Sequence, residues 1–327
     1  VNTDGWMDLV VVGEWDAPKV FVSEKGQLRL APKALDTGAL KGWWNGVAAG
    51  DVDGDGDLDL VATNVGWNTK YGRASVKKPA LLYYGDMDQS GRRQLVEAKP
   101  GEKGLLPVRG RSCSSQAMPF IAKKFASYRA FAQASLEAIY TPDCLEGAQQ
   151  FQATEFRSGV FRNVSENGSV RFVFEPLPFE AQVTPFYGVA LVDANADGHL
   201  DVALVGNHYT REPETGLWRG AMGMILTSDG NGNFQEAPYE ESGWVVPGDG
   251  KSLTKADING DGSPDLIAAQ NNNELLPFVR QAQDAGQLAV RLQGRPGNPN
   301  GLGAQVSLRF ADGFTQTRTI GCLLYTS

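Results

Sequence analysis

The chain has 327 residues, 39 of them glycine and 17 proline, with only 2 histidines and 3 cysteines and a formal net charge of −8. No run approaches 18 uninterrupted apolar residues and the mean hydropathy is −0.28, so no bilayer-spanning helix is expected. With His199 and His208 as the only imidazoles a His-rich metal centre is excluded, and without a C-x-x-C pair so are a structural zinc site and a disulfide-dense scaffold.

The acidity is local. Thirteen aspartates fall in four short clusters, and without them the chain would be net positive. Carboxylates gathered in this way point to hard cations held at loops, whereas a generally acidic surface would speak only of solubility.

In chain order, the first element is Val1-Asn2-Thr3-Asp4-Gly5-Trp6-Met7-Asp8. It reads as a D-x-[DN]-x-D-G-x-x-D loop entered at its second position, with Asn2, Asp4, Trp6 and Asp8 at positions 3, 5, 7 and 9. The expectation is an N-terminus cut inside a repeat. A full copy follows at Asp51, Asp53, Asp55, Asp57 and Asp59, between the strand-like runs Gly46–Gly50 and Leu60–Thr63. Asp86-Met-Asp88-Gln-Ser90-Gly91, with Gln94 at position 9, is a degraded copy that is not expected to hold metal.

Between Met118 and Phe156 the composition shifts to Ala, Lys, Gln, Phe and Tyr. Phe120, Ile121, Phe125, Tyr128, Phe131, Leu136 and Ile139 recur at helical spacing, which predicts one amphipathic helix over 119–140. Thr141-Pro142-Asp143 predicts an N-cap and a second helix to about Gln150, so this segment reads as an inserted helical hairpin, either a cap on a blade edge or a partner surface. Cys113 and Cys144 bracket it and would close a loop of about 30 residues if oxidised.

Two further full loops follow. One is Asp193, Asn195, Asp197, His199 and Asp201, between the strand-like runs Tyr187–Val192 and Val202–Val205; the other is Asp257, Asn259, Asp261, Ser263 and Asp265, ahead of Leu266–Ala269. Leu288–Leu292 alternates like a strand and Asn300–Val306 begins another module. Cys322–Ser327 departs from the rest and reads as a non-native tail.

In each loop, oxygens at positions 1, 3 and 5 converge on one side, glycine at 6 permits the backbone reversal, position 7 offers its carbonyl, and Asp at 9 closes the shell. At His199 the imbedded ligand would be the carbonyl, with the imidazole facing solvent. About six oxygens suit Ca²⁺, giving three complete sites and a fourth truncated at the N-terminus. An EF-hand begins similarly but needs Glu at position 12 and a following helix, and here β-branched strands follow instead. The unit is strand, calcium loop, strand.

This pattern resembles the FG-GAP or VCBS-type repeats of integrin-alpha-like β-propellers. Gly42–Gly46, Asn64–Tyr71 and Pro178–Gln182 resemble the members that carry a C-terminal ASPIC/UnbV module, related to the secreted cartilage acidic protein family. The resemblance implies an all-β fold, with a propeller over 1–280 carrying the insertion at about 118–156, a partial ASPIC/UnbV module over 286–321, and the tail 322–327. It implies a calcium-binding, non-enzymatic scaffold for adhesion or for a protein or glycan ligand, located extracellularly, at the cell surface or in the periplasm. No nucleic acid partner and no membrane span are expected. The competing expectation is a carbohydrate-active propeller enzyme, a lyase or glycoside hydrolase with carboxylates or tyrosines in the central channel. Trp43, Trp44, Trp67 and Trp218 are expected either to fill the wedges between blades or to stack on sugars.

Overall fold

The computed structural model describes residues 1–102, 104–210, 215–281, 288, 290–311, 313 and 315–320. The first sheet, β1-β3-β4, is built from β1 (Leu9–Val11), β3 (Lys19–Glu24) and β4 (Gln27–Leu30). A short ribbon pairs β2 (Glu14–Asp16) with β5 (Gly42–Trp43), and its register slips at Trp15. The next blade starts with β6 (Gly46–Gly50) and β7 (Asp59–Thr63), an antiparallel hairpin in which Gly50 faces Asp59 across the first full loop. Every residue of β7 is buried, because a middle strand is covered on both faces.

The blade is then interrupted. A second sheet of β8 (Ala80–Gly85), β9 (Gln94–Gly101), β10 (Gly104–Pro107) and β11 (Gln149–Ala153) runs in the order β10-β9-β8-β11. Between β10 and β11 lie α1 (Arg111–Ala117), α2 (Phe120–Lys124), α3 (Tyr128–Gln133), α4 (Leu136–Tyr140) and α5 (Pro142–Glu146). The original blade resumes with β12 (Gly159–Asn163) and β13 (Phe172–Pro176), giving the order β13-β12-β7-β6. The insertion therefore spans 64–158, larger than 118–156, and it takes in the degraded loop. It has its own core, in which Leu81, Tyr83, Val96 and Ala98 of the sheet pack on Ile121, Phe131, Leu136 and Ile139 of the helices.

The expected helix over 119–140 is instead the three short helices α2, α3 and α4, the second helix is the single-turn α5, and α1 precedes them without having been expected. Apolar periodicity runs through the whole segment, but Ser127 and Ser135 each accept a hydrogen bond from the backbone three residues on, at Ala130 and Ala138, and so restart the helix. Pro142 opens α5 as expected, although Thr141 sits at φ +62° and its side chain makes no cap bond. Residues 149–150, read as helical, begin β11. No disulfide joins Cys113 to Cys144.

The third blade is β14 (Phe186–Val192), β15 (Asp201–Gly206), β16 (Met224–Ser228) and β17 (Phe234–Glu236), in sequential order. After the short α6 (Tyr239–Ser242) come β18 (Gly250–Ala256), β19 (Asp265–Gln270) and β20 (Leu276–Phe278), also sequential. A hairpin of β21 (Gln305–Arg309) and β22 (Thr315–Thr319) completes the described chain. Leu288 and Val290–Leu292 are not in a strand, contrary to their alternation; Ala289 and the tail 322–327 lie outside the described residues.

The inner strands β6, β14 and β18 lie side by side. Apolar wedges fill the space between neighbouring sheets: Val61, Leu191, Val202 and Leu226 between the second and third blades, and Val192, Ile225, Leu253 and Leu266 between the third and fourth. This is an all-β architecture of small antiparallel sheets, the arrangement of propeller blades.

Candidate metal centres

Each complete acidic loop joins the first two strands of a sheet, the partial copy precedes β1, and all copies are folded by the same kind of side-chain-to-backbone hydrogen bonds. In the first full loop the Asp51 carboxylate accepts from the amides of Gly54 and Gly56 at 2.8 and 3.2 Å, Asp53 from Asp55 at 3.3 Å, and Asp55 from Asp57 at 2.8 Å. The second loop repeats this with Gly198 donating to Asp193, Asp197 to Asn195 and His199 to Asp197. In the third, Gly262 donates to Asp257, Asp261 to Asn259 and Ser263 to Asp261. In the partial copy Asp4 donates to Asn2 and Trp6 to Asp4. Position 7 is therefore fixed through its amide, and Trp6 itself is half exposed at 50%.

Glycine at position 6 has positive φ in every copy, from +79° to +96° at Gly5, Gly56, Gly91, Gly198 and Gly262. Position 4 is left-handed as well: Thr3, Gly54, Gln89, Ala196 and Gly260 lie between +56° and +77°. Sequence reading missed this second requirement, for which the glycines at 54 and 260 were the available signal.

The aspartate at position 9 is an anchor. Asp59, Asp201 and Asp265 are at most 1% exposed. One oxygen of each accepts the position-2 amide, from Val52, Ala194 and Ile258 at 3.2, 2.8 and 2.8 Å. The other accepts an amide from the sheet's third strand or the segment after it: Asn163 for Asp59, Ser228 for Asp201 and Arg280 for Asp265. Asp8 does the same with Ser23 and with the amino group of Val1. Position 9 thus ties loop to blade whatever it does for a cation.

The loops differ in how far their carboxylates converge. Asp51, Asp53 and Asp59 each bring an oxygen within 4.8 Å of the others, the one such cluster among the described residues. Where position 3 is asparagine, its amide donates to the position-5 carboxylate, as in Asn2 to Asp4, Asn195 to Asp197 and Asn259 to Asp261. Those loops satisfy themselves internally, whereas Asp53 is held from outside by Arg162 of β12 at 2.8 Å. Arg318 of β22 is also electrostatically coupled to Asp51 and Asp193, an arginine that sequence reading did not associate with the loops. Its neighbour Gln316 donates to the carbonyl of Gly198 at 2.8 Å. The His199 ring, expected to face solvent, lies against Gly230 of the β16–β17 turn.

Burial pushes the Asp59 carboxyl up to about 7, against the bonds from Asn163 and Val52 that favour its ionised form. Burial likewise raises Asp201 to about 6, and raises Asp51 and Asp55 with help from the neighbouring carboxylates. In the third loop Asp261 is lowered, chiefly by the bond from the Ser263 amide. A hard divalent cation fits the first two loops on two observations: the converging oxygens of Asp51, Asp53 and Asp59, and Asp193 Oδ1, which is buried without a hydrogen-bond partner among the described residues. All these donors are oxygen, the set that Ca²⁺ and Mg²⁺ prefer.

Comparison with known proteins fits this layout. No curated protein matches the chain. Among solved structures, the crystal structure of the exotype rhamnogalacturonan lyase YesX is similar at 12% identity, covering 77% of this chain and 47% of that one with a TM-score of 0.22. This chain therefore spans less than half of that structure's length, and a likeness of this degree carries no argument about fold or activity. The family model described as FG-GAP-like repeat matches residues 1–62 and 193–268, on either side of the insertion. Within those two segments the acidic loops and the strands that flank them match FG-GAP-like repeats.

Proposed function

We propose that this chain is a calcium-stabilised FG-GAP propeller that presents its surface to a protein or glycan partner outside the cytosol and catalyses no reaction of its own. The observation that carries the reading is the convergence of oxygens from Asp51, Asp53 and Asp59 in a loop whose backbone is already held by its own hydrogen bonds, where burial pushes Asp51 and Asp59 toward protonation and a cation would favour their ionised form. Asp51, Asp53, Asp55 and Asp59 would hold the ion in the first loop, and Asp193 with Asp197 and Asn195 in the second. The third would use Asp257, Asn259 and Asp261, and the partial copy Asn2 and Asp4. An ion there would supply charge neutralisation and cross-link the loop ends. The loops sit on different sheets, which does not suit the paired ions of two-metal catalysis, held about 3.5 to 4 Å apart. Loops of this type bind calcium at the millimolar levels found outside cells, and ten times the dissociation constant adds about 1.4 kcal/mol per site. In this reading β21–β22 belongs to the start of an ASPIC/UnbV module, as in secreted cartilage acidic proteins.

The test is thermal unfolding in calcium, magnesium and excess chelator. The midpoint is expected to fall by many degrees in chelator and to be restored by calcium but poorly by magnesium, which demands stricter octahedral geometry. An unchanged midpoint would overturn the calcium reading.

A carbohydrate-active enzyme is favoured by one specific observation. Tyr187 lines the cavity of about 690 Å³ between β6, β14 and β18, its hydroxyl is 2.6 Å from His208 Nδ1, and Lys251 Nζ lies 3.6 Å from its ring centroid. A phenol paired with an imidazole beside a cation can move a proton. Release of new unsaturated or reducing ends from polysaccharides, abolished in Tyr187→Phe, would put this reading first.

A further inference from the structure

At the far end of β6 from the Asp51–Asp59 loop, the insertion and the β2–β5 ribbon enclose a second cavity of about 530 Å³, within the size range of small-molecule sites. We propose that this cleft binds one ring of a neutral saccharide, stacked on Trp15 and Trp43 and hydrogen-bonded to Arg109. The proposal takes from the preceding reading only that the chain binds a ligand, and it does not depend on calcium.

Three observations converge there. Trp15 and Trp43 form one wall, with centroids 6.0 Å apart and planes inclined by 35°. Trp15 occupies the slipped position of the ribbon at φ +58°, a conformation costly for a bulky side chain. Bulges re-aim side chains, and strained residues cluster where ligands are held. Tyr71 meets both indoles edge-on and also donates to Glu97, so the wall and the floor are one braced assembly.

The floor is Glu97 and Arg109. Glu97 takes the Tyr71 hydroxyl on one oxygen and Arg109 Nε on the other, the latter at 2.6 Å. That bond fixes the guanidinium plane while leaving Nη1 and Nη2 with no hydrogen-bond partner among the described residues, and Arg109 lines the cavity. The opposite wall comes from α1 and from Tyr140 of α4.

These groups select a ligand class. An indole face accepts the C–H face of a sugar ring, and a fixed pair of N–H donors needs oxygen acceptors at its edge. Glu14 also lines the cavity, so with Glu97 and Arg109 the site carries a net negative charge, which opposes a carboxylate-bearing ligand. The outward-facing donors of Arg109 in turn oppose a cation. Hydroxyl groups on a neutral ring meet both conditions.

The test titrates the whole chain, in calcium, with cellotetraose, xylotetraose, mannotetraose, galactotetraose and tetragalacturonate, read by calorimetry and by tryptophan fluorescence. At least one neutral tetrasaccharide is expected to bind in the micromolar-to-millimolar range with a change in fluorescence. Trp15→Ala and Arg109→Gln should each weaken it at least tenfold. Ala117→Trp, which fills the cavity from the helical wall without removing a binding group, should do the same in a protein whose thermal midpoint is unchanged. Binding of tetragalacturonate alone, binding indifferent to all three substitutions, or no binding by any of the five would overturn the proposal. Chromatography of the bound sugar separates the two readings: an intact tetrasaccharide keeps the non-enzymatic reading, whereas cleavage at this site overturns that reading and leaves the binding site standing.

Discussion

The loops Asp51–Asp59 and Asp86–Gln94 differ in composition far more than in shape. In both, the position-2 amide is bonded to the position-9 side chain, from Val52 to Asp59 and from Met87 to Gln94, at 3.2 and 2.8 Å. In both, the position-6 amide is bonded to the position-1 carboxylate, from Gly56 to Asp51 and from Gly91 to Asp86. Ser90 even keeps the position-5 acceptor role, taking the Arg92 amide at 3.3 Å. Yet the degraded loop has replaced Asp57 with Arg92 and Asp59 with Gln94, and its Asp88 is stabilised in the ionised form, first by the Ser90 side chain. In the acidic loop Asp51, Asp55 and Asp59 are all pushed toward protonation. The fold of the loop therefore needs acceptors, and at positions 5 and 9 neutral ones suffice. Charge beyond that number is a burden on the metal-free protein that a cation would relieve.

The comparison can be broken most severely at the anchor. Asp59→Ala strands the buried amides of Val52 and Asn163, so we expect a loss of about 3 kcal/mol, at roughly 1–3 kcal/mol for each unpaired group, with or without calcium. Chemical denaturation measures it. A loss confined to calcium-containing buffer would mean that Asp59 serves the ion alone.

The next effect is on pH. The folded-state values of Asp59 and Asp201, about 7 and about 6, lie above the unfolded carboxylate value of 3.8. The stability these groups contribute in their protonated form is thus complete below pH 4 and is lost as pH rises through 6 and 7. In chelator, their contribution should make the thermal midpoint decline from about pH 4 to about pH 7 and level off above it. In calcium, which requires the ionised form, that decline should flatten. Parallel curves in the two buffers would separate the carboxyls from the metal.

A smaller effect is expected at Asp55, exposed at position 5. Asp55→Ala should weaken calcium binding about tenfold, or ~1.4 kcal/mol, while leaving metal-free stability unchanged or slightly raised. Calorimetric titration reports the first and denaturation in chelator the second. Ser90→Ala, at the same position of the degraded loop, should leave calcium stoichiometry unchanged, and equal effects of the two substitutions would erase the distinction between the loops.

Much of this was legible in the sequence, and for local reasons. Gly46–Gly50, Leu60–Thr63, Val202–Val205 and Leu266–Ala269 fall in strands because each is an apolar run abutting a loop whose turn residues leave few other conformations. Helices α2–α5 were legible as helical but not as four, since apolar spacing carries across a break and Ser127 and Ser135 mark it only by what they bond, while α1 lay outside the expected segment. The limits of the insertion were hidden because β8 and β9 alternate like blade strands and flank a loop of the same pattern. Long-range partners such as Arg162 and Arg318 have no local signature at all. The cleft at Trp15 was equally invisible, because it gathers residues from β2, β5, β9 and α1.

The neck of the insertion governs the order in which the chain can assemble. Asn64 and Ser158, at its two ends, are joined by a hydrogen bond of 2.9 Å, and Gly66 donates to the carbonyl of Phe156 at 2.8 Å. Strand β7 can pair with β12 only once these ends have met, and an unfolded segment of that length opposes closure entropically. The inserted sheet and helices share a core built wholly from their own residues. Their collapse brings the neck together and removes that entropic obstacle, so this blade is expected to form after its insert, whereas the β14–β17 blade, whose strands pair in sequence, can form directly.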